Sequence, residues 1–316
     1  METHMQPFVR QPVLYPVSVV FVDDNPDFLQ ALRGAFPDER LNHFFTHPQA
    51  ALDFVSSRDT EMPPTAADYF GAEKTGGNAI GEDALADPAR FEAVGAVVVD
   101  YSMPEVDGIQ FLTSIRNANC TKILLTGIAD EREAVAAFNA GLIDCYLKKT
   151  DVEMARKLAT ALDDAKRKCC AARGHISLHE AGATYQDPRI VKLIDEVAAR
   201  EGIVEYYWRP NQDAVLMFDA AGAPSVFLAW SEEDWSFHCD IVSDAGGPAE
   251  LRQGMEARRI MPLFWPSQAY RPGLADIRCA APLPVPGWHG TFYSWIRLDD
   301  PAAERDLPTL AKWRHA

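Results

Sequence analysis

The chain has 316 residues, which on a scale of about 100–200 residues per domain suggests two domains. Hydrophobic residues make up 47% and charged residues 24%, a composition that can bury a real core. The formal net charge of −16 (30 Lys plus Arg against 46 Asp plus Glu) argues against a protein that grips nucleic acid through its phosphates.

No run of about 18 apolar residues occurs, so no membrane span is expected. The opening Met1–Arg10 lacks a charged-then-apolar export pattern. Six cysteines without a CxxC pair then read as reduced thiols, and the expected location is cytoplasmic.

From residue 17 to 170, short apolar runs alternate with amphipathic ones. Strands are expected at 17–22, 41–46, 96–99, 122–126 and 145–148. Helices are expected at 27–36, from Pro48 onward, and at 108–117, 131–140 and 152–168. Five strand–helix alternations predict a doubly wound parallel sheet, with the active loops at the carboxyl ends of its strands. Residues 57–93, rich in Gly and acids, read as a surface insertion, partly helical at 66–70 and 83–93.

The second half has another texture, because all seven tryptophans lie between Trp208 and Trp313. A helix capped by Asp187-Pro188 is expected to run to about Arg200. A hairpin is expected over 215–230, a helix over 248–259 and strands near 260–264 and 291–297, which together make a smaller α+β domain. The expected division is an N-terminal extension 1–14, a first domain 15–168 containing the insertion 57–93, a linker 169–186 and a second domain 187–316.

In such a sheet Asp23 and Asp24 end the first strand and Asp100 ends the third, beside it. Three clustered carboxylates repel unless a cation joins them. A hard divalent ion such as Mg²⁺ suits oxygen ligands and leaves positions for phosphate oxygens. Thr126 ends the fourth strand and Lys149 the fifth, so a hydroxyl and an ammonium reach the same rim. Positioning and charge neutralisation are what phosphoryl transfer requires of a protein. Taken singly, Asp23-Asp24 reads as a helix cap, Asp100 as turn chemistry, Thr126 as a strand end and Lys149 as a solvated charge. Four such placements at one rim point to a site.

The segments Phe21-Val-Asp-Asp-Asn25, Val98-Val-Asp-Tyr-Ser-Met-Pro-Glu-Val-Asp-Gly108, Leu125-Thr-Gly127 and Tyr146-Leu-Lys-Lys149 resemble the receiver domain of two-component response regulators, over about residues 15–168. The resemblance implies a flavodoxin-like fold. It implies that Asp100 accepts phosphate from a sensor histidine kinase or a histidine phosphotransfer protein. Asp23, Asp24, Asp100 and the backbone carbonyl of Ser102 would hold Mg²⁺, Lys149 would meet the phosphoryl oxygens, and Thr126 and Tyr146 would form the conformational switch. A homodimer is a further implication. Thr150 stands where the family has proline, and an extra residue between Gly141 and Tyr146 leaves Lys148 as an alternative; the aromatic-x-x-Lys spacing selects Lys149.

The second half is expected to be an output domain that binds a protein or small ligand. Direct DNA binding is the alternative, although residues 171–316 hold 14 basic and 20 acidic residues and no helix–turn–helix pattern. An enzyme is the third possibility, without a nucleophile motif or phosphate loop to support it. Cys169, Cys170, His175 and His179 are a poor zinc set, because adjacent cysteines fit one tetrahedral ion badly. The combination of Leu125–Asp130, Phe138–Asp144 and Phe218–Gly222 with the aromatic second half also resembles the Lqs/Phc-type quorum-sensing response regulators of Gram-negative bacteria.

Overall fold

The computed structural model describes residues 9–10, 12–58, 85–104, 106–117, 119–127, 131–173, 175–176, 183–274, 277–299, 304 and 306–316. These fall into two compact units, one holding residues 15–58 and 89–173 and the other holding the rest.

The first unit is the expected doubly wound sheet. Its elements are β1 (Ser18–Val22), α1 (Pro26–Ala35), β2 (Asn42–Phe45), α2 (Pro48–Ser57), β3 (Val94–Asp100), α3 (Gly108–Ser114), β4 (Thr121–Thr126), α4 (Glu131–Asn139), β5 (Cys145–Lys148) and α5 (Met154–Arg173). The five strands are parallel in the order β2-β1-β3-β4-β5. The apolar strands β1 and β3 are buried along their whole length, as central parallel strands covered on both faces must be. The edge strands β2 and β5 are half-buried.

Two apolar clusters flank this sheet, one including Val20, Val97, Leu124 and Phe111, the other Phe21, Val98, Ile123 and Leu158. Alternation along each strand divides them, since neighbouring side chains face opposite ways. Register aligns the carboxyl ends: Val22 lies beside Val99, Asp100 beside Leu125, and Thr126 beside Lys148.

Helix boundaries follow local chemistry. Asn25 caps α1, its side chain accepting from the N–H groups of Asp27 and Phe28, with Pro26 at the first helical position. Asp107 caps α3 in the same manner through Gln110 N–H.

The end of the insertion is partly helical, as expected, but buried rather than at the surface. Residues 66–70 lie outside the described residues. Residues 88–92 form a 3₁₀ turn, and Arg90, Phe91 and Ala93 are buried. Ser18 Oγ donates to Phe91 O at 3.1 Å, and the Tyr15 and Phe91 rings meet edge to face. This end of the insertion is core, because a phenylalanine beside a tyrosine gains more by burial than a loop gains by exposure.

The second unit is built on an antiparallel sheet. It contains α6 (Pro188–Glu201), β6 (Ile203–Arg209), β7 (Ala214–Asp219), β8 (Pro224–Trp230), α7 (Glu232–Asp244), α8 (Ala249–Glu256), β9 (Met261–Leu263), β10 (Arg278–Ala280), β11 (Leu283–Pro284), β12 (Phe292–Arg297) and α9 (Leu310–His315). Its six-stranded sheet runs β11-β12-β8-β7-β6 and ends on the short strand Val13–Leu14, which pairs with Tyr206 and Tyr207. Residues 13–14, read from the sequence as part of an extension, are therefore an edge strand. The helix α5 continues through Arg173, into the start of the expected linker.

The hairpin β7–β8 turns at Asp219–Gly222, where the Asp219 carboxylate accepts from the N–H groups of Ala221 and Ala223. Gly222 takes φ +78°, the left-handed conformation that glycine adopts without a Cβ penalty. Trp208, Trp230 and Trp235 are buried and the other four tryptophans are half-buried. The aromatic density thus serves packing first. Buried His238 stacks on Trp230, and burial lowers its pKa to about 4, so it is a neutral core ring. Of the poor zinc set, Cys169 and Cys170 are buried, Cys170 accepting from Tyr15 N–H, and His179 lies outside the described residues.

Candidate functional site

The carboxyl ends of β1, β3, β4 and β5 gather one cluster of side chains. Asp23 directly follows β1 and is buried; its Oδ1 accepts from Asn25 N–H at 3.0 Å. Asp24 beside it is exposed. Asp100 is the last residue of β3 and is buried. One ligand oxygen from each of Asp23, Asp24 and Asp100 lies within 4.8 Å of the others.

Lys149 follows β5, and its backbone N–H donates to Thr126 O at 2.9 Å, which holds the loop against β4. Its Nζ sits 2.6 Å from Asp23 Oδ2 and 2.9 Å from Asp100 Oδ1. Lys148 takes the other direction, where it pairs with Glu131 at 2.9 Å, and that hydrogen bond raises its pKa. The two lysines named as alternatives thus differ in geometry, and Lys149 is the one at the carboxylates.

Burial pushes the Asp100 carboxyl above its ordinary value. The Lys149 hydrogen bond and charge oppose that shift, the neighbouring Asp23 charge reinforces it, and Ser102 N–H lowers it again. Three carboxylates against one ammonium leave the cluster two negative charges in excess. That surplus, with hard oxygen donors only, fits a divalent cation such as Mg²⁺. Thr126 is fully buried at the same rim, and its Oγ1 finds no hydrogen-bond partner among the described residues. An unsatisfied buried hydroxyl costs about 1–3 kcal/mol, so it marks a place where an acceptor belongs. Tyr146 is half-buried in β5 and meets Phe138 of α4 edge to face at 6.1 Å.

Three residues that sequence reasoning did not single out complete the arrangement. Asn25 both caps α1 and holds Asp23, a role that its position between Asp24 and Pro26 could have signalled. Gly108 opens α3 with its N–H on Tyr101 O; a Cβ there would stand 2.3 Å from Asp100 O, so only glycine lets this helix approach the end of β3. Phe28 lies beneath the ammonium, its ring centroid 4.5 Å from Lys149 Nζ.

A buried carboxylate, a cation-attracting acidic pair, an ammonium and a hydroxyl without a partner among the described residues, all at one rim, are the kinds of group that phosphoryl transfer requires. The response regulator receiver domain family model matches residues 74–160, a span holding Asp100, Thr126 and Lys149. The structure of the Legionella pneumophila response regulator LqsR is similar over both units, with 26% identity and a TM-score of 0.69, covering 96% of this chain and 95% of that one. An uncharacterised protein from Neptuniibacter caesariensis (21% identity, TM-score 0.34) covers 48% of this chain and 92% of its own. A receiver domain of an HD domain-containing protein from Pseudomonas fluorescens Pf-5 (25%, TM-score 0.33) covers 48% and 94%. No curated protein matches. Residues 74–160 thus match a response regulator receiver domain, and the chain as a whole is similar in structure to a response regulator.

Proposed function

We propose that the protein is a phosphoacceptor of a cytoplasmic phosphorelay. It takes a phosphoryl group on Asp100 and relays the change to an output unit that binds a protein or small ligand, in signalling of the quorum-sensing type. The observation that carries this reading is the placement of Lys149 Nζ between Asp23 and Asp100, with the partnerless Thr126 hydroxyl at the same rim. Similarity to LqsR across both units supports the extension to the output. Among the described residues no helix is long and apolar enough to cross a membrane.

Asp23, Asp24, Asp100 and the Ser102 carbonyl would hold Mg²⁺, which when bound offsets the charge of the phosphoryl oxygens. In the transfer, an Asp100 oxygen forms a P–O bond as the P–N bond of a donor phosphohistidine breaks, and the imidazole leaves neutral after taking up a proton. Lys149 is placed to meet charge building on the transferring oxygens, and Thr126 to donate to one of them afterwards. Incubation with acetyl phosphate and Mg²⁺ should give one acyl phosphate per chain, mapped by mass spectrometry of borohydride-trapped peptides. Modification mapped to another residue would refute the assignment.

The Thr126 hydroxyl gains a partner only after transfer, so it couples the phosphoryl group to β4 and the half-buried Tyr146 beside it. Val135, Phe138 and Leu142 are exposed on and just after α4 and offer the apolar surface of a homodimer. We expect beryllofluoride to shift the protein from monomer to dimer in analytical ultracentrifugation. Thr126→Val should keep labelling and leave thermal stability equal or higher, since it removes a buried orphan, yet abolish the shift. A variant that still dimerises would exclude Thr126 as the switch.

A further inference from the structure

We infer that Phe28 is a positioning residue for phosphoryl acceptance, holding the Lys149 ammonium over the gap between Asp23 and Asp100 by a cation–π contact. The inference rests on the function proposed above and adds a residue to it.

Lys149 has a long flexible stem and sits in a pocket that is open on one side, with 22% of its side chain exposed. Two carboxylates attract its ammonium, but charge alone does not fix where a lysine head rests, because an ammonium is a compact charge with rotatable donors and several rotamers. The Phe28 ring supplies a third wall. Its centroid lies 4.5 Å from Nζ, within the range at which the negative face of an aromatic ring attracts a cation.

The ring is itself held from two sides. Its backbone N–H is tied to the Asn25 side chain at 3.3 Å, and its body packs against the apolar cluster of Phe21, Leu29 and Leu32. Asn25 N–H also holds Asp23 Oδ1, so one residue sets both the ring and the carboxylate that the ammonium faces. A leucine in place of Phe28 would fill much of the same volume against the core but present no quadrupole to the cation.

In the unmodified protein this contact keeps the ammonium beside Asp100 Oδ1, at the rim where the phosphoryl group would arrive. Losing it lets the head move toward Asp23 or solvent, and the transferring oxygens meet a less organised charge. A cation–π contact that is mostly but not fully withdrawn from water lies between the exposed and desolvated limits and corresponds to about a three- to tenfold change in rate.

The test uses the full chain, acetyl phosphate and Mg²⁺, and reads the initial rate of Asp100 acylation. Phe28→Leu should slow acylation about three- to tenfold, and Phe28→Tyr and Phe28→Trp should restore it. Replacing Phe28 with mono-, di- and trifluorinated phenylalanine keeps the packing nearly constant, so it serves even where the leucine variant folds poorly. The rate should fall stepwise with each fluorine as the ring face loses its negative potential. A flat fluorine series, or a leucine variant as fast as the parent, would overturn the inference while leaving acylation of Asp100 intact. Failure of the parent protein to acylate Asp100 would instead remove the function on which the inference stands.

Discussion

Asp100→Asn is expected to abolish labelling from acetyl phosphate while making the protein harder to melt at neutral pH. The two outcomes share one cause. The carboxylate lies buried beside Asp23, and burial holds its folded pKa above the ordinary carboxylate value. A group whose pKa is raised on folding prefers its protonated form in the fold, so its ionised form costs stability. That cost is absent below the unfolded pKa, grows as pH rises through the window between the unfolded and folded values, and is fully present above both.

An amide carries no charge to desolvate and still accepts from Ser102 N–H, while Lys149 keeps Asp23 as its partner. The melting temperature should therefore rise by about 2–4 °C at pH 7, the shift that about 1 kcal/mol makes in a domain of this size. The gain should shrink to nothing as pH falls below about 4, where Asp100 is protonated in both states. Mg²⁺ should stabilise the parent protein more than the variant, because part of its ligand charge is gone. Calorimetric melts at pH 4 and 7, with and without Mg²⁺, read all of this. A variant that melts lower than the parent at pH 7, with normal secondary structure, would show that Asp100 is held by favourable contacts rather than against its desolvation.

What the sequence made legible divides along the distance over which its signals act. The five strand–helix repeats of the first unit and the residues at their carboxyl ends are local: each strand end is a few residues, and parallel topology brings those ends together without further information. Pro26, Asp107 and Asp187 mark helix starts in the same local way. The capping box Ser231–Asp234 is an equally local mark of the start of α7.

The edge strand Val13–Leu14 had no such signal. It pairs with residues about 190 positions later, and two residues carry no period. The burial of Arg90 and Phe91 was hidden by the glycine-rich composition before them. Phe28 is not marked in the sequence because an apolar residue at the third position of an amphipathic helix reads as core, and its ring does both things at once: it packs against the apolar cluster that holds Leu29 and Leu32 while its face meets a cation that arrives from residue 149.

The ammonium of Lys149 carries the second large expectation. Replacing it with methionine keeps most of the stem's volume and removes the charge. Asp23 and Asp100 would then face each other buried, with no cation between them. Breaking a buried ion pair by removing one partner is more costly than the pair was favourable, because the remaining charge is stranded. Lys149 is partly open to water, which moderates the effect, and we expect a loss of about 4–10 °C in melting temperature at pH 8.

The sign with pH follows from the carboxyls. Without the lysine, the Asp100 pKa moves further up, so the variant is at its worst above that raised value and recovers as pH falls toward 4 and the carboxyls take up protons. Mg²⁺ should restore part of the loss at pH 8 by replacing the missing positive charge, but acylation should remain at least about tenfold slower, since the ammonium that meets the phosphoryl oxygens is absent. Lys148→Met is the control: that side chain pairs with Glu131 on the outer side of β5, where solvent screens an exposed pair, so stability and acylation should both stay near the parent's. If Lys148→Met slowed acylation and Lys149→Met did not, the phosphoryl group would have to be met from the other side of the strand, and the arrangement of Asp23, Asp100 and Lys149 would be an ion-pair network serving the fold alone.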